Sequence, residues 1–194
     1  MTTAVEHDDW GGQSFSGETW TGVAFLDVDL SEIETDAVVF DTCSFRDVRF
    51  NASVHRDSAF VNCTFTSCSF FDASYTACKL VGSRFERCTF DLLRVVGGDW
   101  SFVGLVQADL RRTSWKDLRM READLAGARC EGATLTGVDL SGADLRKVQL
   151  AGCDLRGSDL SSLDPGAAEL AGAIVTWEQA VEIARSFGLD VRPD

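Results

Sequence analysis

Residues 133–145 read Ala133-Thr134-Leu135-Thr136-Gly137-Val138-Asp139-Leu140-Ser141-Gly142-Ala143-Asp144-Leu145. A large apolar residue falls on Leu135, Leu140 and Leu145. A slim residue stands two places ahead of each, at Ala133, Val138 and Ala143, and glycine stands two places behind at Gly137 and Gly142. The spacing is five. The same beat extends from Trp10 to Leu160, and only Thr35 and His55 miss among its 31 positions. The chain is 45% hydrophobic, so 29 apolar hits lie far outside chance. A period of five is neither the helix period nor the strand period. It describes a backbone that turns a corner every five residues.

With the large residue as i, positions i and i−2 face inward and i−1 faces outward. Glycine at i+2 (Gly12, Gly17, Gly22, Gly82, Gly127, Gly132) falls where the corner needs an easy turn. Four sides close one coil of twenty residues, so residue n lies over n+20 at ~4.8 Å. Phe25, Phe45, Phe65 and Phe85 then form one internal ladder, continued by Leu105, Leu125 and Leu145, and Phe50, Phe70 and Phe90 form another. About eight coils predict an all-β rod roughly 38 Å long.

Composition narrows the function classes. The chain has 194 residues, one domain's worth. Residues 1–9 read as a polar, flexible tail, 10–175 as the repeat, and 176–194 as a capping helix and tail. No run of 18 apolar residues is present, so no membrane span is expected. The start lacks the basic and apolar blocks of a secretory signal, which points to the cytoplasm. Of the seven cysteines, six occupy i−2 and Cys130 occupies i, so all are expected inside as small hydrophobes rather than disulfides or zinc ligands. No cofactor motif appears: Val96-Gly97-Gly98-Asp99 lacks the lysine and the strand-to-helix setting of a phosphate loop. The net charge of −13 disfavours direct binding to nucleic acid. No nucleophile or acid–base set converges, so no enzyme is expected, and no metal site.

The acids fall in columns. Asp124, Asp144 and Asp164 share one outward column; Asp139 and Asp159 share another, with Asp99 further back; Asp154 lies on a third side. Carboxylates stacked at that spacing repel by about 0.9 kcal/mol even in water. Two readings stand: a surface shaped for a partner, or aspartates that bond the local backbone. Uniform imitation of B-DNA would need about 22 charges on such a rod, so any DNA-like face is partial and is expected on the C-terminal coils.

Both ends need caps. Pro165 occupies an i position and is expected to end the regular coil. Thr176 with Gln179 reads as a capping box. Trp177, Ala180, Val181, Ala184 and Phe187 mark one helix face, Ile183 and Leu189 widen it, and Gly188 stops it. That apolar surface is expected to join two copies into a homodimer. Thr35, His55 and Tyr75 share one inward column, where a hydroxyl over an imidazole reads as a buried hydrogen-bonded pair.

The tripeptides Ala108-Asp109-Leu110, Ala123-Asp124-Leu125 and Ala143-Asp144-Leu145, with the variants Val138-Asp139-Leu140, Cys153-Asp154-Leu155 and Ser158-Asp159-Leu160, resemble the A-(D/N)-L-x-x consensus of the pentapeptide-repeat family. Within it, the stretch from His55 to Phe65, the pair Gly97-Gly98, and the ending Gln179-Ala180-Val181 with Phe187-Gly188-Leu189 look like the quinolone-resistance class. The unbroken frame matches members without interrupting loops. The resemblance implies a right-handed quadrilateral β-helix. It also implies a non-enzymatic DNA mimic that binds DNA gyrase through its acidic surface, needs no cofactor, dimerises through its C-terminal end and lowers fluoroquinolone susceptibility. The alternative is a scaffold for a different protein partner.

Overall fold

The computed structural model describes residues 3–192. The chain winds as a parallel β-solenoid followed by one helix, α1 (Trp177–Ser186). Strands pair in the register n to n+20: Val5 with Phe25, Phe25 with Phe45, Thr35 with His55, Trp115 with Leu135. Among the described residues, three sides of the coil carry sheets of five, seven and three strands. The fourth side is held by single bridges such as Asp9 to Asp29 and Arg49 to Ser69. No helix among the described residues is long and apolar enough to cross a membrane.

Corner residues at i+2 adopt a left-handed backbone almost throughout, Arg112 and Ser162 being exceptions. Glycine was the residue expected there, yet every corner from Asp27 to Ala77 is occupied by another residue, with φ between 48° and 56° or, at Glu32, 59°. Such a residue costs roughly 1 kcal/mol relative to a right-handed one. The cost is offset because the corner peptide joins the ladder: Asp27 N–H donates to Arg46 O at 2.9 Å and Asn62 N–H to Val81 O at 2.9 Å.

The interior follows the columns. Phe25, Phe45, Phe65 and Phe85 stack with centroids 4.8, 4.9 and 4.6 Å apart and planes within 7°. Phe50, Phe70 and Phe90 do the same at 5.0 and 5.5 Å. Neighbouring ladders meet edge to face, as Phe45 meets Phe50. Each such pair adds about 0.5–1.5 kcal/mol beyond area burial. At the N-terminal end the half-buried Trp10 and Trp20 lie edge-on over Phe25 and close the open coil.

Position i−2 serves the polar groups of this interior. Ser58, Ser83 and Ser158 donate to Arg56 O, Phe60 O and Leu135 O. The cysteine thiols do the same more weakly, Cys63 reaching Phe40 O and Val61 O. All seven cysteines are free, and burial pushes the Cys78 thiol up to about 11. The i−2 residue also serves its own i neighbour. Thr113 Oγ1 accepts Trp115 Nε1–H at 2.7 Å, and Ser53 Oγ lies 3.0 Å from His55 Nε2. Thr35 Oγ1 lies 2.8 Å from His55 Nδ1, so the pair is a buried hydrogen bond. Because Ser53 gives its proton to Phe50 O, Nε2 donates to Ser53 Oγ and Nδ1 is the acceptor facing Thr35, whose single hydroxyl proton also lies within reach of Ser58 Oγ at 2.9 Å. Trp100 has Gly98 at its i−2 position, and its Nε1 is buried without a partner.

Two expectations need correction. The segment 1–9 is not a tail from Ala4 onward: Ala4–Glu6 is a strand on Ala24–Leu26, and His7 N–H donates to Leu26 O. Its polarity misled because outward positions are polar in any coil, and Val5 already sits in frame; Met1 and Thr2 lie outside the described residues. Pro165 interrupts the coil but does not end it. Asp164 O turns to Ala167 and Ala168 N–H, and the ladder resumes with Gln149 to Glu169 and Asp154 to Ile174. The Gly97-Gly98 pair is two different glycines. A Cβ on Gly97 would meet nothing, whereas one on Gly98 would lie 2.0 Å from Cys78 O.

Gly98→Ala is therefore expected to destabilise by roughly 3 kcal/mol or more, and Gly97→Ala by about 1 kcal/mol, in urea unfolding. Equal losses would show that the close approach to Cys78 is relaxed in solution. Burial holds the His55 pKa down to about 3, against 6.5 for the free side chain. The unfolded chain thus binds the proton more tightly. Stability should be full above pH ~6.5 and fall towards pH ~3 by up to about 1.4 kcal/mol per unit. His55→Gln, compared at matched pH, should flatten that slope.

Candidate partner-binding surface

An aspartate at i−1 projects outward from the middle of a coil side, and its first task is local. Oδ1 accepts the N–H two residues on, tying the side to the next corner. This bond is made by Asp99 (to Ser101, 3.0 Å), Asp124 (Ala126, 3.2 Å), Asp139 (Ser141, 3.2 Å), Asp144 (Arg146, 3.1 Å), Asp154 (Arg156, 3.3 Å), Asp159 (Ser161, 2.8 Å) and Asp164 (Gly166, 2.9 Å). Local backbone bonding, one of the two readings of the columns, holds at each of these seven positions.

The columns are in register, with Asp124 bridged to Asp144 and Asp139 to Asp159, while Asp164 leaves its column at the Pro165 turn. Their charge is uneven. Arg146 grips Asp144 and Arg156 grips Asp154, each from the i+1 position on the same side. Arg119 reaches Asp99 at 3.0 Å and Arg121 reaches Asp139 at 2.5 Å. The Arg146 and Arg156 guanidiniums hold the Asp144 and Asp154 carboxyls below the usual range, and the Ser141 hydroxyl, with Arg121, does so for Asp139. Asp124, Asp159 and Asp164 have no ion-pair partner among the described residues.

A stronger asymmetry lies at the other end. Ten acidic residues and no Lys or Arg precede Arg46. His7 pairs with Asp27, Arg49 with Asp29 and Arg56 with Glu34. Glu6, Asp8, Asp9, Glu18, Glu32, Asp36 and Asp41 have no ion-pair partner among the described residues. Between residues 46 and 120 the balance reverses, with eight acids against eleven bases. The expected C-terminal concentration of acid is thus incomplete. Counting bases as well as acids along the sequence would have found the N-terminal patch.

At the C-terminal end the capping box forms as read. Gln179 N–H donates to Thr176 Oγ1 at 3.3 Å, and Thr176 N–H donates to Gln179 Oε1 at 2.8 Å. The inner anchor of α1 is polar, which the apolar pattern hid. Gln179 is buried, and its Nε2 donates to Ser158 O, which no backbone N–H among the described residues reaches, and to Leu155 O, which also accepts Ser158 N–H. Ile183 packs against the core, and Ala180, Val181 and Ala184 are half-buried. Trp177, Phe187 and Leu189 point to solvent, beside the exposed Ile174. The predicted face is therefore split: part caps the coil, and a large apolar part is left uncovered.

A family model described as "Pentapeptide repeats (8 copies)" matches residues 105–142 and 123–161, and a model of the SV2A/B/C luminal domain matches residues 12–90. The chain is 35% identical over 92 residues to pentapeptide repeat protein MfpA of Mycobacterium tuberculosis, covering 47% of this chain and 50% of that one. It is 45% identical over 56 residues to MfpA of Mycolicibacterium smegmatis, covering 29% and 27%. The chain thus spans half or less of the curated relatives it matches. Full-length QnrB1, a plasmid-mediated fluoroquinolone resistance protein, superposes with a TM-score of 0.64 at 20% identity over 96% of this chain and 100% of the other, a likeness of fold.

Asp159→Asn keeps the acceptor for Ser161 N–H and should leave stability near wild type, whereas Asp159→Ala should lose about 1 kcal/mol. Equal losses in urea titrations would show that the carboxylate charge, not the corner bond, is what the fold uses there.

Proposed function

We propose that this chain is a member of the pentapeptide-repeat family: a non-enzymatic acidic rod that binds DNA gyrase in place of DNA, modulates its activity and lowers fluoroquinolone susceptibility. The observation that carries this reading is the N-terminal patch: ten carboxylates without a single Lys or Arg before Arg46, spread around a rod. Such a field steers a basic, DNA-handling surface towards the rod and repels DNA itself. The quinolone-resistance class that the chain resembles supplies gyrase as the partner, and QnrB1 shares the fold.

The uncovered Trp177, Phe187 and Leu189 suit a second copy of the chain, joined end to end about a two-fold axis. Two rods of ~38 Å then make about 80 Å, with the Asp124, Asp159 and Asp164 charges flanking the centre. The arginine partners of Asp99, Asp139, Asp144 and Asp154 favour a second reading, a scaffold for another protein, in which those columns serve only the corners.

Purified protein titrated into a gyrase supercoiling assay separates the two. Inhibition that weakens as salt is raised is the expected result. Changing Glu6, Glu18 and Glu32 to Gln and Asp36 and Asp41 to Asn should slow association on the order of tenfold with folding retained. No retention of gyrase at low salt would remove the reading. Sedimentation should give a dimer that Trp177→Ser with Phe187→Ser converts to a monomer.

A further inference from the structure

One row of the rod departs from the pattern of every other. Where other coil sides place a side chain at the outward i−1 position, residue 104 is glycine. Neither backbone nor packing asks for it. Gly104 is not in the left-handed region, it is paired to Ser83 O and Phe85 N–H, and a Cβ would meet Arg84 Cγ at an ordinary 3.5 Å. The missing side chain leaves a notch. Its walls are Phe102 and Val106, which are 54% and 49% exposed, and its floor is Phe85. Phe102 adds a second anomaly. It is an aromatic ring on a left-handed corner (φ 60°), the position where glycine is easiest, and it points to solvent. The groove measures about 450 Å³.

Its frame is acidic. Arg84 and Glu86 border it on the preceding coil, Glu122 and Asp124 on the next. None of the four has an ion-pair partner among the described residues, and the frame carries two more acids than bases. Phosphate ligands are disfavoured by that sign. A lone apolar socket inside an acidic rim matches an apolar side chain set among Lys or Arg on a folded protein, the pattern of an interface anchor with a charged rim.

We propose that the Gly104 notch is the anchor point at which the rod receives one apolar side chain of its protein partner, with Glu86, Glu122 and Asp124 meeting the basic residues around it. This rests on the gyrase-binding reading and locates one contact of it at mid-rod, away from both the N-terminal patch and the helix end. Glycine at 104 keeps the socket open, and Phe102 is retained at a strained corner because its ring forms a wall.

The test uses full-length protein and immobilised DNA gyrase holoenzyme at low and raised salt, with unfolding monitored in parallel. Gly104→Val fills the notch with a residue suited to an extended strand. Phe102→Gly removes a wall and relaxes the corner, so its melting temperature should equal or exceed that of the wild type. Both are expected to weaken binding on the order of tenfold or more through faster dissociation. Glu122→Gln with Asp124→Asn should instead slow association and flatten the salt dependence. Wild-type affinity in Gly104→Val and Phe102→Gly, beside a loss in the charge variant, overturns the notch and leaves the gyrase reading standing. Absence of gyrase binding by the wild type at low salt overturns both.

Discussion

A left-handed backbone recurring at five-residue spacing, broken inside the coil only at Arg112 and near the Pro165 turn, is the constraint from which the rest of this molecule follows. It bends the chain by one corner, and four corners return it to its starting direction twenty residues on. Only then can Asp27 N–H meet Arg46 O and Thr35 lie on His55. The ladder bonds fix the stacking, and the stacking dictates the interior. Identical rings at n and n+20 are the simplest way to fill a column of constant width, as Phe25, Phe45, Phe65 and Phe85 do. Corners without glycine from Asp27 to Ala77 show that the ladder outweighs the local penalty wherever stacked phenyl rings hold the coil.

Mid-rod is where this economy is disturbed. The columns pass from phenyl rings at Phe85 and Phe90 to leucines at Leu105 and Leu110, and two indoles, Trp100 and Trp115, fill the change of width. Beside Trp100, Gly98 lets the backbone approach that of Cys78 so closely that a Cβ would lie 2.0 Å from Cys78 O. The same substitution removes the i−2 hydroxyl that would serve an indole N–H, so Trp100 Nε1 is unpartnered while Trp115 Nε1 has Thr113. Tyr75 Oη, stacked on His55 and edge-on to Trp100, is unpartnered too. Each buried orphan costs about 1–3 kcal/mol, so the middle of the rod is the least optimised part of the core. The exposed Phe102 and Val106 lie on the surface of this same region.

The coil was legible because a five-residue period has only one geometric source, and the n to n+20 rule then named each ladder. Less legible was what the outward positions do. The D-L-R spacing of Asp144-Leu145-Arg146 and Asp154-Leu155-Arg156 puts acid and base on the same side of one strand, as their ion pairs show, yet counting acids alone hides it. Gln179 was read as half of a capping box, and its amide also donates to Leu155 O and Ser158 O, a contact between segments that no local pattern encodes. The notch at Gly104 was invisible for a related reason. A glycine in sequence suggests a turn, and here it stands in an extended side where only the absence of a side chain matters.

The corner bond also decides which acids are surplus to folding. An asparagine at i−1 would accept the same N–H, so the fold needs the oxygen and not the charge. Where arginine follows at i+1, the charge is cancelled and nothing accumulates. Where Ala126, Ser161 or Gly166 follows, Asp124, Asp159 and Asp164 keep a charge that no ion-pair partner among the described residues cancels. The N-terminal coils keep still more, with no base of their own before Arg46. Charge that folding does not use lies on the N-terminal coils and near the helix end, with Asp124 on the rim of the Gly104 notch. The basic-leaning middle separates those ends and carries the Gly104 notch. A surface built that way meets a basic partner at spaced points, as a phosphate backbone would, without reproducing the even charge of a duplex.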